Sequence, residues 1–531
     1  MRKAGKSVLS WILLLMGALT FTACSDDNGG NDPDNENEFN TTTPDLSKIK
    51  VIESGQVSYH DHFAKMLKEA EEGNSEGDEA IADYARKMLH ETDSIDQANA
   101  EAAGGNGANY STLVYWYEVI QYPSVDNKGN EVMLSELISY PAHSDANNII
   151  IGCHLTITSN QECPSNYVNN SWQTDVGMLT CHSRAVLGAN HQCLVIIPDY
   201  QGYGVTSDMP HPYLCQNITA RQVVDGVLAG KAYYEKTHKL EPDFQTAAVG
   251  YSQGGSVAMA VQKFIESAHL DGFDKLRFAG SVCGDGPYDP VTTLKTYIKS
   301  DKVYMPVASA LFVKGMCDAN PKMVKAGYKP ADYFTQGFIN TGIIDWLASK
   351  KYTAKEIQEK LVEYSGSHTD FTMMRKTNKD TYEPYTPETK NKYKWKDVDG
   401  NSNVYCTADQ LITKEAIDYI MEGKSSSSAT KKKMATLLSA LDMNNLCKLW
   451  TPRHPMIVFH SPEDEVVPFT NYESALNYFS GNIFKGRRFH YSFLWDTYHI
   501  GVGKEFYAIY EDGFVKDLFT GDVKDYERDH Q

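Results

Sequence analysis

The sequence predicts an α/β fold in which a mostly parallel sheet is covered by helices, with a helical cap inserted between two of its later strands. Three observations carry this reading. Short apolar runs recur at 149–151, 193–197, 247–249, 278–282, 456–459 and 489–495, and near-continuous apolar strands are what a sheet buried on both faces requires. Helical stretches at 184–190, 220–236 and 256–268 fall between them. The rhythm then stops from about 290 to 450, where helix signals continue without a strong strand.

The first residues stand outside that fold. Arg2, Lys3 and Lys6 precede an apolar run over 8–19, which is short of the roughly 20 residues a bilayer span needs and fits a cleaved signal peptide. Phe21-Thr22-Ala23-Cys24 resembles the lipobox of bacterial lipoproteins, which implies that 1–23 are removed and that Cys24 carries lipid. Ser25-Asp26-Asp27 resembles the acidic signal that sends some of these proteins to the outer face of the outer membrane. Asn, Asp, Gly, Glu and Thr dominate 28–43. Such a stretch cannot bury enough surface to offset chain entropy, so 24–47 is expected to be a disordered tether. The expected location is thus an exported, surface-facing lipoprotein that meets the membrane only through its anchor.

The formal net charge is −19, and loss of the signal peptide takes it to about −22. An acidic chain without basic blocks argues against nucleic acid as a partner. Ten cysteines leave nine once Cys24 is assigned to lipid. Export permits disulfides, but the odd number leaves at least one thiol over, and the spacing does not dictate pairing. Neither a CxxC pair nor HExxH occurs, so a zinc site has no support.

In the folded body, 48–97 carries a polar helical pattern and 101–108 is a Gly/Ala/Asn-rich break, so 48–108 is expected to be a helical extension. The core opens at 109 with β-rich runs at 113–117 and 132–140, joined by Asp126-Asn127-Lys128-Gly129-Asn130. This is the signature of a hairpin. Its first part runs to 289 and its second part covers 451–531. Within the 290–450 insertion, Thr353-Ala354-Lys355-Glu356 is a capping box opening a helix through Tyr364. A second helix is expected over 414–422, and 425–428 is a flexible break.

The chemistry centres on Gly250-Tyr251-Ser252-Gln253-Gly254, a GxSxG motif. It follows a strand signal and precedes a helix rich in small residues, the strand–turn–helix context of a nucleophile elbow. A serine hydroxyl needs a base to act as a nucleophile, and with such an elbow the acid and then the histidine follow in sequence. The loop after strand 456–459 offers Glu463, Asp464 and Glu465. Similar loops carry the acid just ahead of the Val-Pro that starts the next helix, which selects Asp464, with Asp496 in reserve. Of the later histidines, His490 lies within a strand pattern and His530 in the tail. His499 follows the last strand in a loop before a new helix and is the expected base. The oxyanion donors are expected at Gln253, after the nucleophile, and at Leu155 or Thr156, past strand 149–151. Tyr200, Tyr203 and Tyr251 are candidates for the substrate pocket, with plain packing the competing reading for Tyr200 and Tyr203.

Four further stretches make a resemblance specific: His154-Leu155-Thr156 with Cys163-Pro164-Ser165, Pro198 to Gly204, His211-Pro212-Tyr213-Leu214, and Gly284-Asp285-Gly286-Pro287-Tyr288-Asp289. Together with the elbow they resemble the secretory-lipase-like group of α/β-hydrolases, typified by fungal secreted lipases. The likeness runs from about 113 to 506 and departs at Leu155, where many relatives have Gly. It implies a carboxylic ester hydrolase with a helical cap, acting without a cofactor on a small-molecule or lipid ester. Two alternatives compete with this expectation. One is a prolyl-oligopeptidase-type serine peptidase, which would use the same three residues. The other is a surface binding lipoprotein that keeps the fold without the chemistry.

Overall fold

The computed structural model describes residues 45–73, 77–102, 113–171, 174–183, 192–239, 243–267, 276–378, 381–390, 404–425, 427–480, 489–490 and 498–523. The segments carrying Cys24, Asp496, His530 and the expected helix at 184–190 lie outside them.

Twelve strands are described: β1 Lys50–Ser58, β2 Val114–Val125, β3 Glu131–Pro141, β4 Asn148–Cys153, β5 Cys193–Pro198, β6 Gln245–Tyr251, β7 Phe278–Gly284, β8 Met373–Asn378, β9 Thr381–Tyr385, β10 Val404–Tyr405, β11 Met456–Phe459 and β12 Phe489–His490. Among the described residues nine of them form one sheet in the order β1-β2-β3-β5-β4-β6-β7-β11-β12. The first three pair antiparallel, and every pair from β5 to β12 is parallel. The expected hairpin is β2–β3, closed by the 126–130 turn.

The apolar runs become strands because side chains alternate between two cores, one on each face. Ile149, Ile151, Leu194, Ile196, Ala248, Met456 and Val458 face one core, while Ile150, Val195, Ile197, Ala247, Val249, Ile457 and Phe459 face the other. Each large side chain hidden this way contributes roughly 1.5–3 kcal/mol relative to exposure. Helices Gln216–His238 and Gln253–Ser267 cover the first face through Val223, Val227, Val257, Val261 and Phe264. The other face is covered by Tyr59–Glu72, Asp78–Ala102 and Glu511–Thr520 through Phe63, Met66, Ile81, Met88, Phe514 and Leu518.

Two expectations about regular structure are corrected. The N-terminal extension is not wholly helical, since Lys50–Ser58 is an edge strand paired with β2. Its side chains are mostly exposed, so β2's backbone rather than an apolar pattern holds it extended. The 290–450 insertion contains its expected helices, including the Thr353–Glu356 capping box and Lys414–Glu422, but also a small sheet in the order β10-β8-β9. Met373 and Arg375 of β8 are buried, so the alternation that marks this strand is masked by a cation. The insertion has its own core, built on residues such as Val307, Phe338, Leu361 and Leu437, which reaches Tyr213 and Leu214 on the rim of the main sheet. The nine described cysteines are all buried, and no disulfide joins them among the described residues.

Candidate active site

Ser252 occupies the turn between β6 and the helix Gln253–Ser267 with φ of +59°. This left-handed conformation costs a non-glycine residue roughly 1–2 kcal/mol, and the Ser252 amide is held by the Gly284 carbonyl at 2.9 Å. The neighbouring glycines allow the turn to be this tight. A Cβ on Gly250 would lie 2.3 Å from the Gly254 carbonyl oxygen, and one on Gly254 would lie 1.9 Å from that of Cys153. The second contact brings the end of β4, and the loop after it, against the elbow.

His499 opens the helix His499–Glu505, and the structure brings it to Ser252: Nε2 lies 2.9 Å from the Ser252 hydroxyl. On the other side Nδ1 lies 2.5 Å from Oδ2 of Asp464. Asp464 sits in the turn after β11, where its Oδ1 accepts from the Val466 and Val467 amides at 2.8 and 2.6 Å. In the neutral ring these contacts fix the tautomer, with Nδ1–H donating to the carboxylate and Nε2 accepting from the hydroxyl. Of the other two candidates, Glu463 is exposed. Glu465 accepts from the His499 backbone amide at 2.9 Å, and burial with the Asp464 charge pushes its carboxyl up to about 7. Burial opposes the His499 imidazolium, but Asp464, Asp285 and Glu465 outweigh it and raise the ring to about 9.

No protein-family model matches the sequence, and no curated protein matches it. Solved structures do. The rice cell wall degrading esterase LipA of Xanthomonas oryzae superposes with a TM-score of 0.54 at 17% identity, over 81% of this chain and 95% of LipA. A Legionella pneumophila protein described as a hydrolase by inference superposes with a TM-score of 0.59 at 15% identity, over 90% of this chain and 98% of its own. This chain has the α/β-hydrolase fold.

Within that fold the elbow, Asp285 and the acid loop stand at the carboxyl ends of β6, β7 and β11, the edge where open α/β sheets carry their sites. Gln253 starts the helix after Ser252, where a backbone amide lacks an intrahelical acceptor. Its side-chain amide donates to His211 Nε2 at 3.0 Å, and His211 Nδ1–H donates to the Gln201 carbonyl at 2.8 Å. Burial pushes His211 down to about 3, so it is neutral and suited to accept.

The expected donor at Leu155 is corrected. Its amide donates to Oδ2 of Asp175 at 2.5 Å and is not free for an oxyanion. Asp175 is buried, which pushes its carboxyl up to about 6, and it also accepts from the Val176 amide. The Thr156 amide has no acceptor among the described residues, and the Thr156 hydroxyl pairs with Tyr213 at 3.0 Å.

Ser252 and His499 open onto a cavity of about 650 Å³. Leu155, Thr156 and Tyr251 line it from the core, and Met305, Phe312 and Val362 line it from the insertion. Tyr200 and Tyr203 are not among its walls. They are buried behind the 154–157 loop, whose carbonyls accept from them: Tyr200 donates to His154 at 3.2 Å and Tyr203 to Ile157 at 2.6 Å. Packing is therefore their role. Sequence reasoning missed Asp175, which no local motif marks, and gave no role to Asp285 although it stood in a quoted motif.

Proposed function

We propose that the protein is a serine hydrolase that cleaves carboxylic esters through an acyl-enzyme, in the manner of lipases and esterases. The observation that carries this reading is the continuous chain Ser252–His499–Asp464, with contacts of 2.9 and 2.5 Å, opening on a cavity of about 650 Å³. Ser252 attacks the ester carbonyl while His499 takes its proton, and Asp464 holds the ring and stabilises the imidazolium. The amides of Gln253 and Thr156 receive the oxyanion. His499 then returns the proton to the leaving alcohol, and water releases the acyl group by the same route. The esterase description of LipA, which shares the fold, supports an ester over an amide, as does the motif resemblance to secreted lipases.

The anchor at Cys24 belongs to the same proposal. Among the described residues no helix is long and apolar enough to cross a membrane; lipid at Cys24 would hold this domain at the outer membrane, facing outward. Cys24→Ser should then release the protein from the membrane fraction, and retention there would remove the anchor from the account. For the chemistry, Ser252→Ala should lower turnover of a p-nitrophenyl ester by roughly 10⁴-fold or more and abolish labelling by a fluorophosphonate. Turnover that survives the substitution would overturn the assignment.

A further inference from the structure

A second carboxylate stands behind the triad. Asp285 follows β7 with φ of +34°, a region a non-glycine residue enters at a cost, and it is fully buried. Its Oδ1 accepts from the Ser461 amide at 2.8 Å and faces His460 Nδ1 at 3.0 Å. Its Oδ2 accepts from the Tyr251 hydroxyl at 2.6 Å. One oxygen of Asp285, one of Asp464 and a ring nitrogen of His499 all lie within 4.8 Å of one another.

Two carboxylates this close drive one of the pair to take up a proton unless each is met by donors. Here each has its own set. Asp464 has two backbone amides and the His499 ring. Asp285 has an amide, a phenol and the His460 ring, and despite burial its carboxyl is held below the usual range. His460 Nε2 finds no partner among the described residues. Burial disfavours charge on that ring, but Asp285 outweighs it and raises His460 above its ordinary value, so the ring supplies Asp285 with a donor at Nδ1. Tyr251 ties the set to the base: its hydroxyl also lies 2.8 Å from the His499 carbonyl, and its ring packs on the imidazole with centroids 5.2 Å apart.

We propose that Asp285 is a positioning residue of the hydrolytic site, a fixed second negative charge that stabilises the His499 imidazolium beside Asp464 and sustains part of the activity when Asp464 is removed. This rests on the serine-hydrolase reading. The two carboxylates come from different strands, β7 and β11, and both are shut off from water. Their fields therefore act on the ring without the screening that weakens exposed charges. When the ring accepts the serine proton it becomes the counter-ion of both. Besides these two, the titratable groups around His499 are Glu465 in the acid loop and Tyr251 at the end of β6, with His460 beyond Asp285.

The test is a set of substitutions read in kcat and KM on a neutral p-nitrophenyl ester. Asp285→Asn should lower kcat about tenfold with KM unchanged, and should move the acid limb of kcat/KM down by about one pH unit. Asp464→Ala should retain activity about 10² below wild type. The double variant should fall to the level of Ser252→Ala, a greater loss than the product of the two single losses. Losses that simply multiply, or Asp464→Ala already at the Ser252→Ala level, would overturn the proposal. A second measurement needs no change at Asp285. In Asp464→Ala/Glu465→Gln the remaining charge beside the ring is Asp285, so the limb of fluorophosphonate labelling should stay at or above pH 6.5. A limb below that value, where burial alone would place it, refutes the proposal. If wild type is no more active than Ser252→Ala, the hydrolase reading itself fails. Activity that depends on Ser252 but ignores Asp285 sinks this inference alone.

Discussion

A general base works only while it is neutral, and the surroundings of His499 make that condition demanding for the role proposed here. Burial disfavours the imidazolium, but Asp464, Asp285 and Glu465 together lift the ring from 6.5 to about 9. At pH 7 roughly 1% of such a ring is neutral, against roughly three quarters for an unperturbed one. The free enzyme should therefore gain about tenfold in kcat/KM for each pH unit between 6 and 8 and level off near 9. The assay is initial-rate hydrolysis of a p-nitrophenyl ester below KM from pH 6 to 10, corrected for uncatalysed hydrolysis. Asp464→Ala should lower the plateau and move the midpoint down, because burial is then less opposed. The same shift links to stability. The folded state binds this proton more tightly than the unfolded chain, so His499 contributes about 3 kcal/mol of stability that is fully present below pH 6.5 and is lost as pH rises through about 9. A wild-type limb centred at 6.5 or below would refute this account, because it would mean that the carboxylates do not dominate the ring's surroundings.

Two further outcomes follow from buried carboxylates away from the triad. Asp175→Leu removes the acceptor that pins the Leu155 amide and should lower kcat roughly 10²-fold with little change in KM. Asp175→Asn keeps an acceptor and should retain most activity, and equal losses in the two variants would remove Asp175 from any role in the oxyanion loop. Glu136 on β3 is fully buried, and neither carboxylate oxygen has a partner among the described residues. Burial, and then the Asp199 charge, push its carboxyl far up, so folding takes up a proton there and stability falls as pH rises above the ordinary carboxylate range. Glu136→Gln should raise the unfolding free energy by roughly 1–3 kcal/mol at pH 8 and by little at pH 4.5. A loss of stability at pH 8, measured by denaturant unfolding, would contradict this.

How far the fold and site could be read from the sequence depends on how local each constraint is. Residues 149–151 and 193–197 are legible because a strand buried on both faces must be apolar throughout, and the structure divides those same residues alternately between two cores. Lys50–Ser58 was not legible, because most of its side chains are exposed and its extended state is imposed by β2. In β8, burial of Arg375 hides the alternation. At the site, the elbow is legible because a tight turn pressed against Cys153 leaves room only for glycine at 254. His499 could be placed by chain order and Asp464 by the likeness of its loop to others that carry an acid ahead of Val-Pro, and the structure brings both to Ser252.

Asp175 and Asp285 announce nothing locally. Their meaning comes from partners brought close only by the folded sheet: the amide at 155 for one, and the amide at 461 and the hydroxyl at 251 for the other. The Leu155 expectation failed for the same reason, since the spacing after β4 selects a loop but cannot reveal that a carboxylate twenty residues further on has already taken its amide. A nucleophile is constrained by its immediate backbone and so leaves a motif. The charge proposed to tune its base is constrained by a balance of donors gathered from several strands, and any one of those donors, seen alone in the sequence, is an ordinary residue.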